Sequence, residues 1–350
     1  MPVVLVTAVG GGGNGEQLVK CLRMSQKKYE VIGSDITEEA ARQCGADYCV
    51  VLPKANDPHY IERLIELCQR FSVDVVLPGS EPELRKIAEH QAEIRRHVKL
   101  LAVNELSVID TCSNKFKTIE FFKQHNFPCP ETWIVHSAEM IEEVATFPVI
   151  MKPVVGGGSQ HVYVVQDRDE LNMLTHYLLR YFPEILIQEY VGRADQEYTV
   201  GVLLDANGVL IHSIALNRFI LSSLSNRIRV PNLTGRTDLG EVLAISSGVS
   251  QGRVGSFPKV TNFCEKVAGA LGARFAINVQ CRLVEDQPYV FEINPRFSGT
   301  SSIRAMLGFN EPDILIRKHL LHEAIEPGFE YRYATVLRGL REIIADRSNG

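Results

Sequence analysis

Several features that would place a protein in a specialised class are missing from this sequence. Its eight cysteines form no Cys-x-x-Cys pair, which argues against a zinc site or a disulfide framework and favours reduced thiols. The apolar runs have the length of strands, well below the ~20 residues that cross a bilayer. No basic segment with an apolar core opens the chain, so we expect a cytoplasmic protein. A formal charge of −5, without a dense run of lysine or arginine, argues against nucleic acid and membrane partners and favours small molecules.

Length and periodicity predict an α/β chain of more than one lobe. The chain has 350 residues, whereas single domains rarely exceed about 250. Residues 3–103 alternate short apolar runs with amphipathic stretches, which is the βαβ rhythm of a parallel sheet covered by helices. Polar residues 107–113 then precede an amphipathic segment at 115–124. We therefore expect an N-terminal Rossmann-like lobe of residues 1–110.

The remaining sequence predicts hairpins rather than crossovers. Residues 147–165 and 197–216 each predict two strands joined by a turn that contains glycine. A third strand pair follows at residues 275–293. We expect an α+β region divided into a small lobe, residues 111–190, and a large lobe, residues 191–350.

A glycine run follows the first predicted strand. Gly10, Gly12 and Gly15 have the spacing of a dinucleotide-binding loop, and Asp35 lies where an acid would bind the ribose. This pattern favours an NAD-dependent oxidoreductase, but a run of glycines satisfies many spacings by chance, and any parallel sheet needs a tight first turn. Both interpretations stay open from the residues alone. In either case, the helix N-terminus at Gly12 and Gly13 offers N–H groups to an anionic substrate.

Polar side chains lie toward one end of the last predicted strand pair. If the turn centres on Asp286, Gln280 lies opposite Glu292 on the neighbouring strand. The two-residue period then places Asn294 on the same face as Glu292, with Arg296 just beyond. Oxygen ligands with few formal charges suit Mg²⁺, or Mn²⁺ in its place, shared with nucleotide phosphates. The sequence therefore predicts a metal site beside a cation that can neutralise a phosphoryl group.

Two further segments fit a bound nucleotide. Lys152 ends a strand just before a glycine run, and exposed glycine backbone with a lysine is a combination that binds phosphate. Residues 187–192 form an extended connector whose backbone can meet an adenine edge, and Glu197 can accept hydrogen bonds from ribose hydroxyls. A flexible surface hairpin and a plain linker are the simpler alternatives.

Taken together, the lysine, the glycine hairpin, the Gln-Glu-Tyr-Val connector and the Glu-x-Asn-Pro-Arg order resemble the ATP-grasp superfamily. The stretch INVQCRL…YVFEINPRFSG is most similar to the half-modules of the carbamoyl phosphate synthetase large subunit and to stand-alone carboxylate–amine ligases. The resemblance covers about residues 1–325 and is specific within 115–299. It implies an N-terminal α/β lobe followed by two lobes that clasp ATP.

The resemblance also implies roles for individual residues. Arg296 and Lys152 form the catalytic pair, and catalysis is mainly positioning and electrostatic stabilisation of the transferred phosphoryl group. The remaining implied roles are phosphate binding by Lys115, Lys152, Gly156, Gly157, Gly158 and Ser159, adenine contacts by Glu189 and Val191, a ribose contact by Glu197, and metal ligation by Gln280, Glu292 and Asn294.

The leading hypothesis is an ADP-forming ligase that converts a carboxylate to an acyl phosphate and couples it to an amine. The chain has a single module, so we do not expect carbamoyl phosphate synthesis from it alone. We expect Arg218, Arg227 and Arg304 to bind the small-molecule carboxylate and amine substrates. An NAD-dependent oxidoreductase and an ATP-binding sensor without turnover are the alternatives. The sequence fixes neither the substrates nor the role of residues after about 325, and a homodimer is one option for the oligomeric state.

Overall fold

The computed structural model describes residues 1–156 and 159–339, and its N-terminal part is a parallel five-stranded sheet in the order β3-β2-β1-β4-β5. The strands are β1 (Val3–Val6), β2 (Glu30–Asp35), β3 (Tyr48–Val51), β4 (Val75–Leu77) and β5 (Leu100–Leu101). The helices are α1 (Asn14–Met24), α2 (Glu38–Arg42), α3 (Tyr60–Arg70), α4 (Glu81–Glu89) and α5 (Gln91–Ile94). The predicted βαβ lobe is confirmed. The sequence pattern did not predict β3, because this edge strand has no fully buried residue.

Strand β1 is buried on both faces, which explains its continuous apolar sequence. Val4 and Val6 pack into one core, and Leu5 packs into a second core on the other side of the sheet. Helix α1 lies close against the end of this strand. A Cβ atom at Gly15 would lie 2.3 Å from the carbonyl oxygen of Ala8, so a glycine is needed at this helix–strand contact.

The next sheet has four antiparallel strands in the order β6-β9-β7-β8. It is built from β6 (Thr132–Val135), β7 (Val149–Pro153), β8 (Tyr163–Val165) and β9 (Ile185–Glu189), with α8 (Arg168–Leu178) packed on it. The Asp167 side chain caps α8 by accepting from the N–H of Glu170 at 2.8 Å. The predicted glycine-tipped hairpin is therefore β7 and β8.

The largest sheet has six antiparallel strands in the order β16-β15-β10-β11-β14-β17, and a separate pair joins β12 to β13. Its strands and those of the pair are β10 (Glu197–Leu204), β11 (Leu210–Arg218), β12 (Asn226–Pro231), β13 (Val242–Ser246), β14 (Gly252–Val254), β15 (Ala276–Val284), β16 (Gln287–Asn294) and β17 (Ala334–Val336). The helices are α9 (Pro258–Ala270), α10 (Ser301–Met306) and α11 (Glu311–His319). Short 3-10 helices occupy Ala138–Glu143, Ala194–Gln196 and Thr237–Leu239.

Two helices, α6 (Leu106–Ser113) and α7 (Lys115–Gln124), connect the parallel sheet to the four-stranded sheet. Although α7 lies in the segment expected to form the small lobe, Ile119 and Phe122 pack in the core beneath the largest sheet. Helix α1 packs against α10 and α11, which brings the N-terminal glycine run beside the largest sheet. No helix of the described residues combines the length and apolar character needed to cross a membrane.

Candidate active site

A cavity of about 610 Å³ is lined by all three parts of the chain. The predicted site residues that line it are Lys115, Lys152, Gly156, Ser159, Glu189, Val191, Glu197, Arg218, Gln280, Glu292, Asn294, Arg296, Gly12 and Gly13. Gly157 and Gly158 lie outside the described residues. Side chains that are far apart in sequence therefore share one solvent-accessible space.

The hairpin of β15 and β16 supplies the oxygen-bearing side chains. Gln280 pairs directly with Glu292, and Asn278 pairs with Asn294, so the predicted register is present. Asn294 Nδ2 donates to Glu292 Oε1 at 3.1 Å, which brings the amide and the carboxylate together. In the described part of the chain no group of three His, Cys, Asp or Glu could hold a metal ion. A divalent cation would therefore depend on amide and carboxylate oxygens, and this donor set fits Mg²⁺ that shares its shell with phosphates.

Arg296 lies at the end of this oxygen set. Its Nη2 donates to Asn294 Oδ1 at 3.0 Å and to Glu81 Oε1 at 2.5 Å, and its Nη1 donates to the carbonyl oxygen of Phe297 at 3.0 Å. The buried Nε has no hydrogen-bond partner among the described residues. The guanidinium is thus fixed beside the oxygen ligands, with donor capacity remaining.

Two lysines enter the cavity without forming an ion pair to any described residue. Lys152 Nζ donates to Gln188 Oε1 at 2.9 Å, and Lys115 Nζ donates to the carbonyl oxygen of Gly156 at 2.8 Å. Burial, with a smaller contribution from the charge of Lys115, lowers the pKa of Lys152 to about 7. Burial also lowers the pKa of Lys115. Glu292 opposes both shifts, but no described carboxylate lies within ion-pair distance of either lysine, so this part of the cavity is suited to a polyanion.

The connector after β9 forms the wall beside Ile150. The hydroxyl of Tyr190 accepts from the N–H of Ala244 at 2.9 Å and donates to its carbonyl oxygen at 3.2 Å, which fixes the connector against β13. The carbonyl oxygen of Val191 accepts from Arg282 Nη1 at 3.2 Å, whereas its N–H has no acceptor among the described residues. An apolar wall with a free backbone N–H matches the edge of a purine.

Glu197 holds two arginines inside the large lobe. It is 2% exposed; its Oε1 accepts from Arg218 at 2.9 Å and its Oε2 from Arg282 at 3.2 Å. Arg218 Nη1 also donates to Gln280 Oε1 at 3.2 Å, so this network reaches the predicted metal ligands. Arg218 lines the cavity, but its Nη atoms donate to protein acceptors, so the substrate contact expected for it stays a prediction. The ribose contact expected for Glu197 stays a prediction.

Two other expected substrate residues do not line the cavity. Arg227 is exposed on β12, whose alternation turns its side chain toward solvent. Arg304 is 1% exposed and donates to Glu311 Oε1 at 2.8 Å and to Asn278 Oδ1 at 2.6 Å. It shares this space with Gly201, where a Cβ atom would lie 2.2 Å from Arg304 Nη1. Arg304 is therefore buried against β15 and lies outside the cavity.

The N-terminal glycine run reaches the cavity, but not as a dinucleotide site. Asp35 Oδ2 accepts from the N–H of Gly10 at 2.8 Å, and its Oδ1 accepts from the N–H of Ile36 at 2.7 Å. Both oxygens of the expected ribose-binding acid therefore hold the loop itself. Gly12 and Gly13 do line the cavity, at the start of α1.

Two residues that line the cavity were not predicted from the sequence. Glu81 begins α4 directly after the capping residue Ser80, at the carboxyl end of β4. That position is a usual place for binding residues in a parallel sheet, so a signal was available. Arg338 follows β17 and also lines the cavity, but nothing in its local sequence marks it.

Comparisons with known proteins agree with this geometry. The family model described as ATP-grasp domain matches residues 112–300, and that described as PylC-like, N-terminal domain matches residues 4–101. The carbamoyl phosphate synthase large chain of Archaeoglobus fulgidus is 28% identical over 197 residues, which are 55% of this chain and 17% of that protein. The alpha-aminoadipate–LysW ligase LysX of Sulfurisphaera tokodaii is 26% identical over 149 residues, which are 41% of this chain and 52% of LysX. The chain thus spans about one sixth of the synthase and about half of LysX.

Solved structures share the architecture. L-amino acid ligase from Bacillus licheniformis superposes with a TM-score of 0.63 at 18% identity, over 91% of this chain and 74% of that one. The biotin carboxylase domain of Hydrogenobacter thermophilus 2-oxoglutarate carboxylase was solved with MgADP and bicarbonate. It superposes with a TM-score of 0.61 at 15% identity, over 93% of this chain and 70% of that one. D-alanine–D-alanine ligase from Bacillus anthracis superposes with a TM-score of 0.57 at 14% identity, over 92% of this chain and 98% of that one. At these identities the likeness shows the fold alone.

Proposed function

Because this chain belongs to the ATP-grasp family, we propose that it is an ADP-forming ligase that phosphorylates a carboxylate and couples the acyl phosphate to an amine. One observation carries the proposal. Lys115 and Lys152, which form no ion pair among the described residues, share a cavity with the oxygen set of Gln280, Glu292 and Asn294. A triphosphate with its cation complements both groups at once.

The chain's own side chains have separate tasks in this scheme. Lys115 and Lys152 bind phosphate oxygens and withdraw charge as the phosphoryl group leaves. Gln280, Glu292 and Asn294 would hold Mg²⁺, which supplies Lewis-acid stabilisation of the phosphate oxygens when bound. Glu189 and Val191 meet the adenine, and Ser159 covers the phosphates from the glycine hairpin.

Arg296 serves both halves of the reaction. In the first, a carboxylate oxygen attacks the γ-phosphorus, the bond to the β-phosphate oxygen breaks, and ADP leaves. In the second, the amine attacks the acyl carbon, and the bond from that carbon to the phosphate oxygen breaks. Negative charge stays near the transferred group in both steps, and Arg296 lies against Asn294 with donors to spare. A fixed guanidinium at this position stabilises that charge without reorganisation.

The names of the relatives support an amine nucleophile. LysX is named an alpha-aminoadipate–LysW ligase, and two of the solved structures are named an L-amino acid ligase and a D-alanine–D-alanine ligase, so their names point to amino acid substrates. This chain covers only 17% of the carbamoyl phosphate synthase. The oxidoreductase alternative is not favoured, because both oxygens of Asp35 are used within the glycine loop. The sensor alternative is not favoured, because Arg296 and the oxygen set are suited to stabilise negative charge that develops only during turnover, and a protein that merely binds ATP does not need them.

The direct experiment is a screen for ADP release with Mg·ATP and amino acids, singly and in pairs. We expect release that depends on one pair, and loss of it in Glu292→Gln, which keeps the shape of the side chain and removes its charge. Glu285→Gln is the matched control, because Glu285 lies in the turn of the same hairpin and outside the cavity. Full activity of Glu292→Gln would remove the proposed metal site.

A further inference from the structure

A cationic side chain from the end of the described chain reaches the cavity. Arg338 Nη2 donates to the carbonyl oxygen of Gly299, to Ser302 Oγ at 3.2 Å and to Gln17 Oε1 at 3.4 Å. Its backbone N–H donates to Gln251 Oε1 at 3.2 Å, so the residue is held at both ends. Within residues 1–156 and 159–339 the guanidinium forms no ion pair, and its Nε and Nη1 have no acceptor. Arg338 is therefore an anchored cation with free donors that lines the cavity.

The start of α1 adds to this positive region. Gly299, whose carbonyl oxygen accepts from Arg338, lies next to the start of α1. A Cβ atom placed on Gly299 would be 3.5 Å from Oδ1 of Asn14, the first residue of that helix. No side chain caps this helix, so the N–H groups of its first turn remain open. Glu16, the acid of that turn, pairs with Lys20 at 2.5 Å and also attracts the guanidinium of Arg338. The helix terminus and Arg338 thus offer hydrogen-bond donors to the same cavity.

A carboxylate lines the same cavity. Glu81 Oε1 accepts from Arg296 Nη2 at 2.5 Å, and its Oε2 has no hydrogen-bond partner among the described residues. The loops that carry Asn14 and Glu81 follow the neighbouring parallel strands β1 and β4. Arg296 and Gly299 are three residues apart, so their Cα atoms lie within about 10 Å. Glu81, bound to Arg296, and Arg338, bound to Gly299, therefore line one cavity together with the proposed phosphoryl site.

We propose that Arg338 and the N-terminus of α1 bind the carboxylate of an amino acid whose amino group is the nucleophile, and that Glu81 accepts from that amino group. This inference rests on the proposed function and names the substrate class of the second step. The ammonium passes one proton through Glu81 to solvent. The nitrogen then forms the C–N bond, phosphate leaves with the electrons of the broken C–O bond, and the second proton goes to phosphate.

The test compares an accepted amino acid with its carboxamide in wild type and in Arg338→Gln. A charge-assisted hydrogen bond to a carboxylate corresponds to about 10- to 100-fold in affinity, so we expect the KM for the amino acid to rise by about that factor. The KM for the carboxamide and for ATP should stay within about twofold, and Arg338→Lys should recover part of the loss. Arg332→Gln is the matched control, because this exposed arginine of the same segment lies outside the cavity and its side chain donates to the carbonyl oxygen of Met306.

The outcomes separate the inference from the proposed function. If the ratio of the KM for the carboxamide to the KM for the amino acid is the same in Arg338→Gln as in wild type, the inference is wrong. The proposed ligase function is not affected by that result. The inference is also wrong if the accepted nucleophile carries no carboxylate. If wild type releases no ADP with any acid, the proposed function fails. Calorimetric titration of each amino acid into the MgADP complex then still decides the subsite, since equal binding to wild type and Arg338→Gln contradicts it.

Discussion

Nucleotide binding should be linked to proton uptake by Lys152. Burial, assisted by Lys115, lowers the pKa of this lysine to about 7 in the nucleotide-free protein. Bound phosphates favour the charged form, so the pKa rises again in the complex. Lys152 is roughly 90% protonated at pH 6 and roughly 10% at pH 8, so binding takes up about 0.1 proton at pH 6 and about 0.9 at pH 8. Affinity should consequently fall about tenfold between these pH values.

Calorimetry in buffers of different protonation enthalpy measures the uptake directly. MgADP is titrated into the protein at pH 6 and at pH 8, and the dependence of the observed enthalpy on the buffer enthalpy gives the number of protons. Lys152→Arg is the informative variant, because arginine stays charged and removes the linkage while keeping the charge. Lys115→Arg is the parallel control for the second lysine, whose pKa is also lowered by burial.

Equal proton uptake by wild type and Lys152→Arg at pH 8 would refute this reasoning.

The lowered pKa of Lys152 also affects folding in the absence of nucleotide. Because the folded-state pKa lies below the ordinary value of 10.5, the unfolded chain binds more protons between about pH 7 and about pH 10. The contribution of Lys152 to the free energy of unfolding should therefore rise with pH across that window.

Three further changes test the site and its support. Glu292→Gln should lower kcat at least about 100-fold with an unchanged melting temperature, measured by coupled ADP assay and calorimetry. Gly201→Ala places a Cβ atom 2.2 Å from Arg304 Nη1 and should cost about 2–4 kcal/mol in urea unfolding, whereas Gly269→Ala, with open space around it on α9, should cost nothing or stabilise slightly. Glu197→Gln leaves two buried arginines without their carboxylate and should destabilise by about 3–5 kcal/mol; a stability equal to wild type would show that water reaches this network.

The hairpin of β15 and β16 could be predicted because its signals are local. Glu285 and Asp286 adopt positive φ angles of 47° and 72°, which suits a two-residue turn between β15 and β16. Once the turn is placed, the two-residue period sets Gln280 opposite Glu292. The same reasoning gave the β7–β8 hairpin and the position of Lys152.

The arginines show where sequence reasoning stops. Arg304 looks like a substrate-binding cation until the fold brings Glu311 and Asn278 to its guanidinium. Arg218 is similarly occupied by Glu197, on the strand that pairs with its own. Partner choice among buried charges depends on tertiary contacts that no spacing rule contains. Arg338 is the converse case, a residue without a local signal that the fold brings to the cavity.

The packing partner of α7 was not predicted from the sequence for a related reason. Its amphipathic pattern predicts a helix at residues 115–124 but does not show which sheet receives its apolar face. Ile119 and Phe122 pack beneath the largest sheet, so Lys115 reaches the cavity from the large-lobe side. The two lysines of the phosphate site therefore come from different packing units.

Trapping of the acyl phosphate tests the central claim most directly. Wild-type protein is incubated with Mg·ATP, the accepted carboxylic acid and hydroxylamine in place of the amine, and the acyl hydroxamate and ADP are measured together. The ligase mechanism predicts hydroxamate and ADP in equal amounts, and neither product from Glu292→Gln. ADP formation without hydroxamate, or hydroxamate formation without ATP, would contradict phosphorylation of a carboxylate at this site.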